Sequence, residues 1–277
     1  MGKHIWYICF GLAIGLALNS CGDYAKIQKS TDFNKKLAYA NRMYAEKKYT
    51  RAQTLYDQIK NVFKGTKGYE SLFYKYAYTY YYLKDYESAA FYFKNFADIF
   101  PNSPHAIDMQ FMQAYSYYKL SPRVELDQTY TEKAISAMQT FINTYPNSDK
   151  VDEANKIIDS CRAKLELKDY DAAKLYYNLG FYKAAGISFT NLLRDYPDSR
   201  DGDEYKYMAI KSYYNYADNS IPEKQNKRFG DVVTEYQEFA DHYPQSKYLK
   251  SAERYYTLSQ NSIKKLQHEQ NKKESRQ

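Results

Sequence analysis

One recurrent punctuation constrains this chain more than any other feature. An aromatic residue, Pro, a short polar residue or Gln, and Ser recur as Phe100-Pro101-Asn102-Ser103, Tyr145-Pro146-Asn147-Ser148, Tyr196-Pro197-Asp198-Ser199 and Tyr243-Pro244-Gln245-Ser246. The residue before a proline is pushed out of helical geometry, so a helix ends at each aromatic. The Ser that follows accepts backbone N–H groups and caps the next helix. The prolines lie 45, 51 and 47 residues apart, a period that calls for a repeat with insertions. Between them apolar residues recur at i, i+3, i+4 and i+7, and no Asn-Gly or Asp-Gly hairpin turn separates alternating apolar runs. Helices are expected almost throughout, and no sheet.

Counting back from the prolines recovers the 34-residue spacing of tetratricopeptide (TPR) repeats. In the second repeat Ala77, Tyr80, Ala89, Phe93, Phe96 and Pro101 fill its small, aromatic, small, aromatic, apolar and Pro positions; Ala173, Tyr176, Ala185, Phe189, Leu192 and Pro197 do so at identical spacing in the fourth. Ala40, Met43, Ala52, Tyr56 and Ile59 form a first repeat without the proline. Two more repeats have helices separated by inserts at 121–128 and 218–226: Ala114 and Tyr117 with Ala134, Met138, Phe141 and Pro146, and Ile210 and Tyr213 with Val232, Tyr236, Phe239 and Pro244. Antiparallel helices approach closely where a small residue faces a large one, and each repeat leaves an apolar face that its neighbour covers. The fold expected is all-α, a TPR-type superhelix of about five helical hairpins. Repeats one to three occupy 33–148. A linking helix (Asp152 to about Lys168), repeats four and five and a capping helix (Lys247 to about Gln267) occupy 149–268, and 269–277 is a polar tail.

The N-terminus points to export. Lys3 precedes the uncharged run Ile5–Leu18, too short to span about 30 Å of hydrocarbon as a helix but right for a signal peptide over 1–20. Leu18-Asn19-Ser20-Cys21 resembles a bacterial lipoprotein box, which implies an acylated Cys21, a lipid-anchored tether over 21–32 and stable membrane attachment. Gly22, where Asp would signal inner-membrane retention in some bacteria, favours the outer membrane by the same resemblance. Cys9 leaves with the signal, so no intrachain disulfide is expected, and Cys161 reads as a small buried hydrophobe on a helix. The formal net charge of +7 falls to +6 once Lys3 is removed; its one basic concentration, 264–277, reads as a solvated end. Nucleic acid is not an expected partner outside the cytoplasm.

Catalytic signatures are missing. The His residues at 4, 105, 242 and 268 fit no metal-ligand spacing, and no GxSxG, Walker or GxGxxG motif occurs. No enzyme, cofactor, metal or small-molecule substrate is expected, and acid pairs such as Asp152-Glu153 and Asp203-Glu204 sit at helix starts. The anomaly is tyrosine, 35 residues of it. TPR geometry turns positions 2, 5, 9, 12 and 13 of a repeat's first helix toward an inner groove. With Ala40, Ala77 and Ala114 at position 8, those places hold Tyr44, then Tyr74, Tyr78, Tyr81 and Tyr82, then Phe111, Tyr115 and Tyr118, while Tyr80 faces the core. A groove for an extended, aromatic-rich peptide is one reading; burial between neighbouring repeats is the other.

Lipid box, five TPR repeats with inserts in the third and fifth, and the repeated aromatic-Pro turns together resemble the BamD family. The resemblance implies a periplasm-facing, lipid-anchored scaffold of the outer-membrane β-barrel assembly machinery, with no active site. It implies C-terminal repeats that hold the barrel subunit and N-terminal repeats that receive unfolded outer-membrane proteins. Alternatives are another envelope TPR adaptor, such as a cell-division and peptidoglycan coordinator, and a SusD-type glycan-binding lipoprotein.

Overall fold

The computed structural model describes residues 23–275, so Cys21 and the signal segment lie outside the described residues. The chain runs through α1 (Phe33–Ala45), α2 (Tyr49–Phe63), α3 (Tyr69–Tyr82), α4 (Tyr86–Ile99), α5 (Ala106–Leu120), α6 (Thr129–Thr144), α7 (Val151–Asn178), α8 (Tyr182–Asp195), α9 (Gly202–Asp218), α10 (Pro222–His242) and α11 (Leu249–Glu274). No strand occurs among the described residues. None of their helices is long and apolar enough to cross a membrane. The fold is a TPR-type array of helical hairpins.

Two kinds of turn build it. At each aromatic-Pro motif the aromatic's N–H still closes the helix, onto Phe96, Phe141, Leu192 and Phe239 carbonyls, while its ψ of 52–64° leaves helical geometry. Its own carbonyl then accepts the N–H of the motif Ser at 3.0–3.1 Å. The Ser hydroxyl in turn accepts the N–H two residues on: His105, Lys150, Asp201 and Tyr248, at 3.0–3.3 Å. The Ser accepts a backbone N–H at all four sites, but it closes the turn ahead of the helix and does not cap it: the N-cap positions of α5, α9 and α11 are His105, Asp201 and Tyr248, none with a side-chain cap bond. The second kind joins the two helices within repeats one, two and four. There the chain leaves the helix through a left-handed residue, Lys47 (φ 58°), Lys84 (φ 64°) or Gly180 (φ 79°). Paired bonds close each turn, for example Lys48 N–H to the Met43 carbonyl and Lys47 N–H to the Tyr44 carbonyl, which is the Schellman pattern.

Two boundaries differ from expectation, and the two inserts, whose order the repeat pattern leaves open, take different forms. The linking helix and the first helix of repeat four are one continuous 28-residue α7, because neither Gly nor Pro interrupts it before Gly180. The insert at 218–226 is mostly helix: Pro222 occupies the first turn of α10, where its missing N–H costs nothing, and α10 grows to 21 residues against 14 in α8. The insert at 121–128 is irregular. The stretch read as a tether is helical over 23–29 and buries Ile27 against Ala40, Met43 and Leu55; Lys36 ties it down by donating to the Gln28 carbonyl at 3.1 Å.

The described residues divide into two compact units, between Cys161 and Arg162 within α7. In the N-terminal unit the small positions Ala40, Ala52, Ala77, Ala89, Ala114 and Ala134 are fully buried beside Tyr56, Phe93, Phe96 and Phe141. Cys161 is buried with Ala154, Ile157 and Ile158 in the core of repeat three, as its hydrophobic reading requires. In the C-terminal unit Ala173, Ala185, Phe189 and Leu192 pack with Tyr205 and Ala209, and Ile210, Val232, Phe239 and Ala252 form a second cluster. Tyr176, placed at a packing position by the repeat pattern, is instead exposed, together with Leu175, Leu179 and Phe181 around the turn that follows α7.

Candidate functional site

All eight aromatics assigned to a groove lie in the N-terminal unit, and ring contacts join them into one connected chain. Tyr44 meets Tyr82 at 6.2 Å, Tyr82 stacks near Tyr78 at 5.7 Å, and Tyr78 meets Tyr74 at 4.9 Å. Tyr82 also meets Tyr81 at 5.8 Å; Tyr81 reaches Tyr115 on α5 at 6.4 Å, and Tyr115 contacts Phe111 and Tyr118, both at 5.9 Å. The first helix of each repeat supplies these side chains from one stripe, so α1, α3 and α5 contribute successive segments.

Their exposure is not uniform, and here the groove reading needs correcting. Tyr78 and Phe111 are buried, at 9% and 3% exposure. Phe93 of α4 packs 5.0 Å from the Tyr78 ring and Phe141 of α6 packs 5.5 Å from Phe111, so the second helix of the same repeat covers each. Tyr82 is 43% exposed, and Tyr44, Tyr74, Tyr81, Tyr115 and Tyr118 are half-buried. Six of the eight therefore reach the surface, and Tyr78 and Phe111 lie beneath them. Tyr80 stacks on Tyr92 at 4.6 Å and hydrogen-bonds Tyr76 at 2.7 Å, which places it in the packing role expected.

Other residues complete the site. Asp108 accepts the Tyr78 hydroxyl at 2.6 Å and pairs with Lys150 at 3.4 Å, while the Lys150 ammonium lies 4.7 Å above the Phe111 ring. His105 packs on Tyr74 at 4.5 Å. Tyr49 stacks on Tyr82 at 4.4 Å, and Tyr86 contacts Tyr81 at 5.5 Å. Tyr49 and Tyr86 follow a legible rule: each stands five residues after an inner-face tyrosine, across the Schellman turn, as Tyr182 follows Tyr177. Burial pushes the phenols of Tyr44, Tyr74, Tyr78 and Tyr81 upward, with hydrogen bonding to Asp108 adding to the effect at Tyr78. They stay neutral at physiological pH, offering apolar rings and hydroxyl donors. Among the described residues no group of His, Cys, Asp and Glu could hold a metal ion.

Similar helical arrays occur in a thermophilic TPR protein of Thermus thermophilus (17% identity, 81% of this chain and 97% of that one, TM-score 0.31). Another is the TPR2AB domain of yeast Sti1 (12% identity, 82% and 98%, TM-score 0.37). In sequence the chain is 26% identical over 129 residues to a putative outer membrane protein assembly factor BamD of Aquifex aeolicus, covering 47% of this chain and 42% of that protein. It is 24% identical over 138 residues to the outer membrane protein assembly factor BamD of Caulobacter vibrioides, covering 50% and 44%. The match thus spans less than half the length of either relative. Residues 31–204, well over half the chain, match the family YfiO, described as outer membrane lipoprotein, and the protein belongs to that BamD-like family.

Proposed function

We propose that the protein is a lipid-anchored, periplasm-facing scaffold of outer-membrane β-barrel assembly, and that the inner face of its N-terminal unit holds unfolded outer-membrane protein segments. Family membership and the two BamD relatives support the assembly role. The observation that carries the substrate role is the unbroken chain of ring contacts across α1, α3 and α5. Alternate residues of an extended peptide are about 7 Å apart on one side. The steps from Tyr82 to Tyr81, Tyr115 and Tyr118 are 5.8, 6.4 and 5.9 Å. A strand-like segment with aromatics at alternate positions can therefore lay them against successive rings. Titration with such a peptide, labelled and followed by anisotropy, tests this. Replacing Tyr82 and Tyr115 together with Ala is expected to weaken binding by about thirty-fold or more, since losing central aromatic contacts costs about 2 kcal/mol or more. Undiminished binding in that variant removes the inner face from the function.

The barrel subunit is assigned to repeat five and α11. Support comes from the family resemblance and from α10, which at 21 residues is longer than the second helices of the other repeats, at 14 to 16. Anchoring is assigned to Cys21. One fractionation experiment covers both. The Cys21→Ala protein is expected in the periplasmic supernatant or as uncleaved precursor, and a chain ending at Arg200 is expected in the membrane but without the barrel subunit on co-purification. Cys21→Ala protein that stays in the outer membrane through a high-salt wash rules out the lipid, and retained barrel subunit moves the interface elsewhere.

A further inference from the structure

The C-terminal unit repeats the architecture but changes the chemistry of the inner stripe. From the ninth position of the repeat, α7 reads Lys174-Leu175-Tyr176-Tyr177-Asn178 and α9 reads Lys211-Ser212-Tyr213-Tyr214-Asn215. The same places in repeats two and three are Tyr78-Thr79-Tyr80-Tyr81-Tyr82 and Tyr115-Ser116-Tyr117-Tyr118-Lys119. The fourth-place tyrosine is kept in all four. The first place changes from a phenol to an ammonium in both C-terminal repeats, and the last becomes Asn in both. Lys and Asn four residues apart share one helix face.

The side chains meet across the two helices. The Lys211 ammonium lies 4.7 Å above the Tyr177 ring, and Asn215 Nδ2 donates to the Tyr177 hydroxyl at 3.0 Å. Tyr177 Oη, already accepting, keeps its own proton to donate. The Lys174 ammonium lies 5.6 Å above the Tyr170 ring, whose hydroxyl is committed to Glu204 at 2.6 Å. Among the described residues neither Lys174 nor Lys211 lies within 4.0 Å of a carboxylate oxygen. The unit pairs a lysine where packing demands it: Lys206, beneath the surface, has Glu235 at 2.7 Å and Glu238 at 2.6 Å. The two inner-face ammonium groups are held over aromatic rings instead, which orients the charge without neutralising it.

Two cations, a phenol proton and a carboxamide with both donor and acceptor atoms, and no carboxylate paired to the cations, complement an anionic, extended chain. We propose that this face binds the carboxylates of an acidic peptide segment of a partner protein, with Lys174 and Lys211 meeting the charges and Asn178 and Asn215 available to its backbone amides. This is a second recognition site, chemically distinct from the aromatic face of the N-terminal unit and independent of it.

The test is an anisotropy titration of the full-length protein in detergent with three probes. They are an amidated peptide of alternating Asp and Ala, an Ala/Ser peptide ending in a free carboxylate, and the same Ala/Ser peptide amidated. Saturable binding of the Asp peptide is expected, weakened about ten-fold or more in the K174E/K211E double variant, restored in K174R/K211R, and reduced as salt shortens the range of the charges. Binding of the free-carboxylate Ala/Ser peptide alone, lost in the same variant, supports the site with a chain terminus as the anion. No binding of either acidic probe, or equal binding by wild type and K174E/K211E, overturns it. The aromatic-rich peptide that probes the N-terminal face is titrated alongside; its affinity in K174E/K211E is expected to stay unchanged, so the two proposals stand or fall separately.

Discussion

Above about pH 10 the N-terminal unit is expected to unfold in one steep transition driven by its phenols. Tyr56, Tyr76 and Tyr78 are buried, at 0%, 0% and 9% exposure. Burial is the largest cause pushing each phenol up. The hydroxyls are also committed: Tyr56 to Asn41 at 2.8 Å, Tyr76 to Asp57 at 2.9 Å and to Tyr80, and Tyr78 to Asp108. Tyr80, at the edge of that network, is pushed up to about 12, again chiefly by burial. A phenol whose folded pKa lies above its unfolded value contributes full stability below the unfolded value, about 10, and loses it as pH climbs toward the folded one. In that window each of the three buried phenols removes about 1.4 kcal/mol per pH unit, so together about 4 kcal/mol per unit. A domain holds only about 5–15 kcal/mol in total. Helicity and phenolate absorbance, followed together against pH, are expected to change in the same narrow interval, because these hydroxyls ionise only once water reaches them. Phenolate absorbance that rises fully near pH 10 while helicity stays intact would show that the rings are not held as described.

The punctuation of the fold was legible because proline acts locally. Pro101, Pro146, Pro197 and Pro244 restrict the residue before them whatever surrounds it, and all four turns take the same hydrogen bonds. The turns within repeats were harder to read, since the left-handed position is filled by Gly only once and by Lys47 and Lys84 otherwise. Lysine carries no mark of a positive φ, and only the Tyr-to-Tyr spacing of five residues betrays the turn. The fusion of the linking helix with repeat four is a case where a repeat pattern suggested a boundary and the chain supplied no breaker to make one. Pro222 lies in an insert whose order the repeat pattern left open, and it starts a helix. At the aromatic face, repeat position was enough to say which eight rings belong together, since helical periodicity fixes the stripe. It could not say which of them water reaches. That depends on how far Phe93 and Phe141 lean over the stripe and on Asp108 reaching back from α5 to Tyr78, contacts made between elements distant in the chain. The Lys and Asn pairs of the C-terminal unit lay in plain view but gained meaning only when the missing carboxylates became visible.

Tyr78 is therefore expected to behave as a structural residue, against the reading of it as a ligand contact. Replacing it with Ala removes a ring that touches Tyr74, Phe93, Tyr81 and Tyr82 within 4.9–6.4 Å. It also leaves Asp108 with Lys150 as its remaining partner at 3.4 Å. Loss of a buried aromatic to Ala costs about 3–5 kcal/mol, larger where the site cannot collapse. Here α3 is pinned on both sides by packed rings, so collapse is limited. At about 2–4 °C per kcal/mol for a unit of this size, Tyr78→Ala is expected to lower Tm by about 10 °C or more. Tyr78→Phe keeps the ring contacts and gives up only the hydroxyl, for about 1 kcal/mol and a few degrees. Neither change removes an exposed ring, so at low temperature, where both variants are folded, each is expected to bind the aromatic peptide within about three-fold of wild type, under 1 kcal/mol. Tyr115→Ala is expected to show the opposite pattern, a small shift in Tm with a large loss of binding. Thermal melts by circular dichroism and peptide titrations on the same three preparations separate the roles. If Tyr78→Ala melts within a degree or two of wild type yet no longer binds peptide, the floor of the site is open to the ligand, and Tyr78 belongs among the contact residues after all.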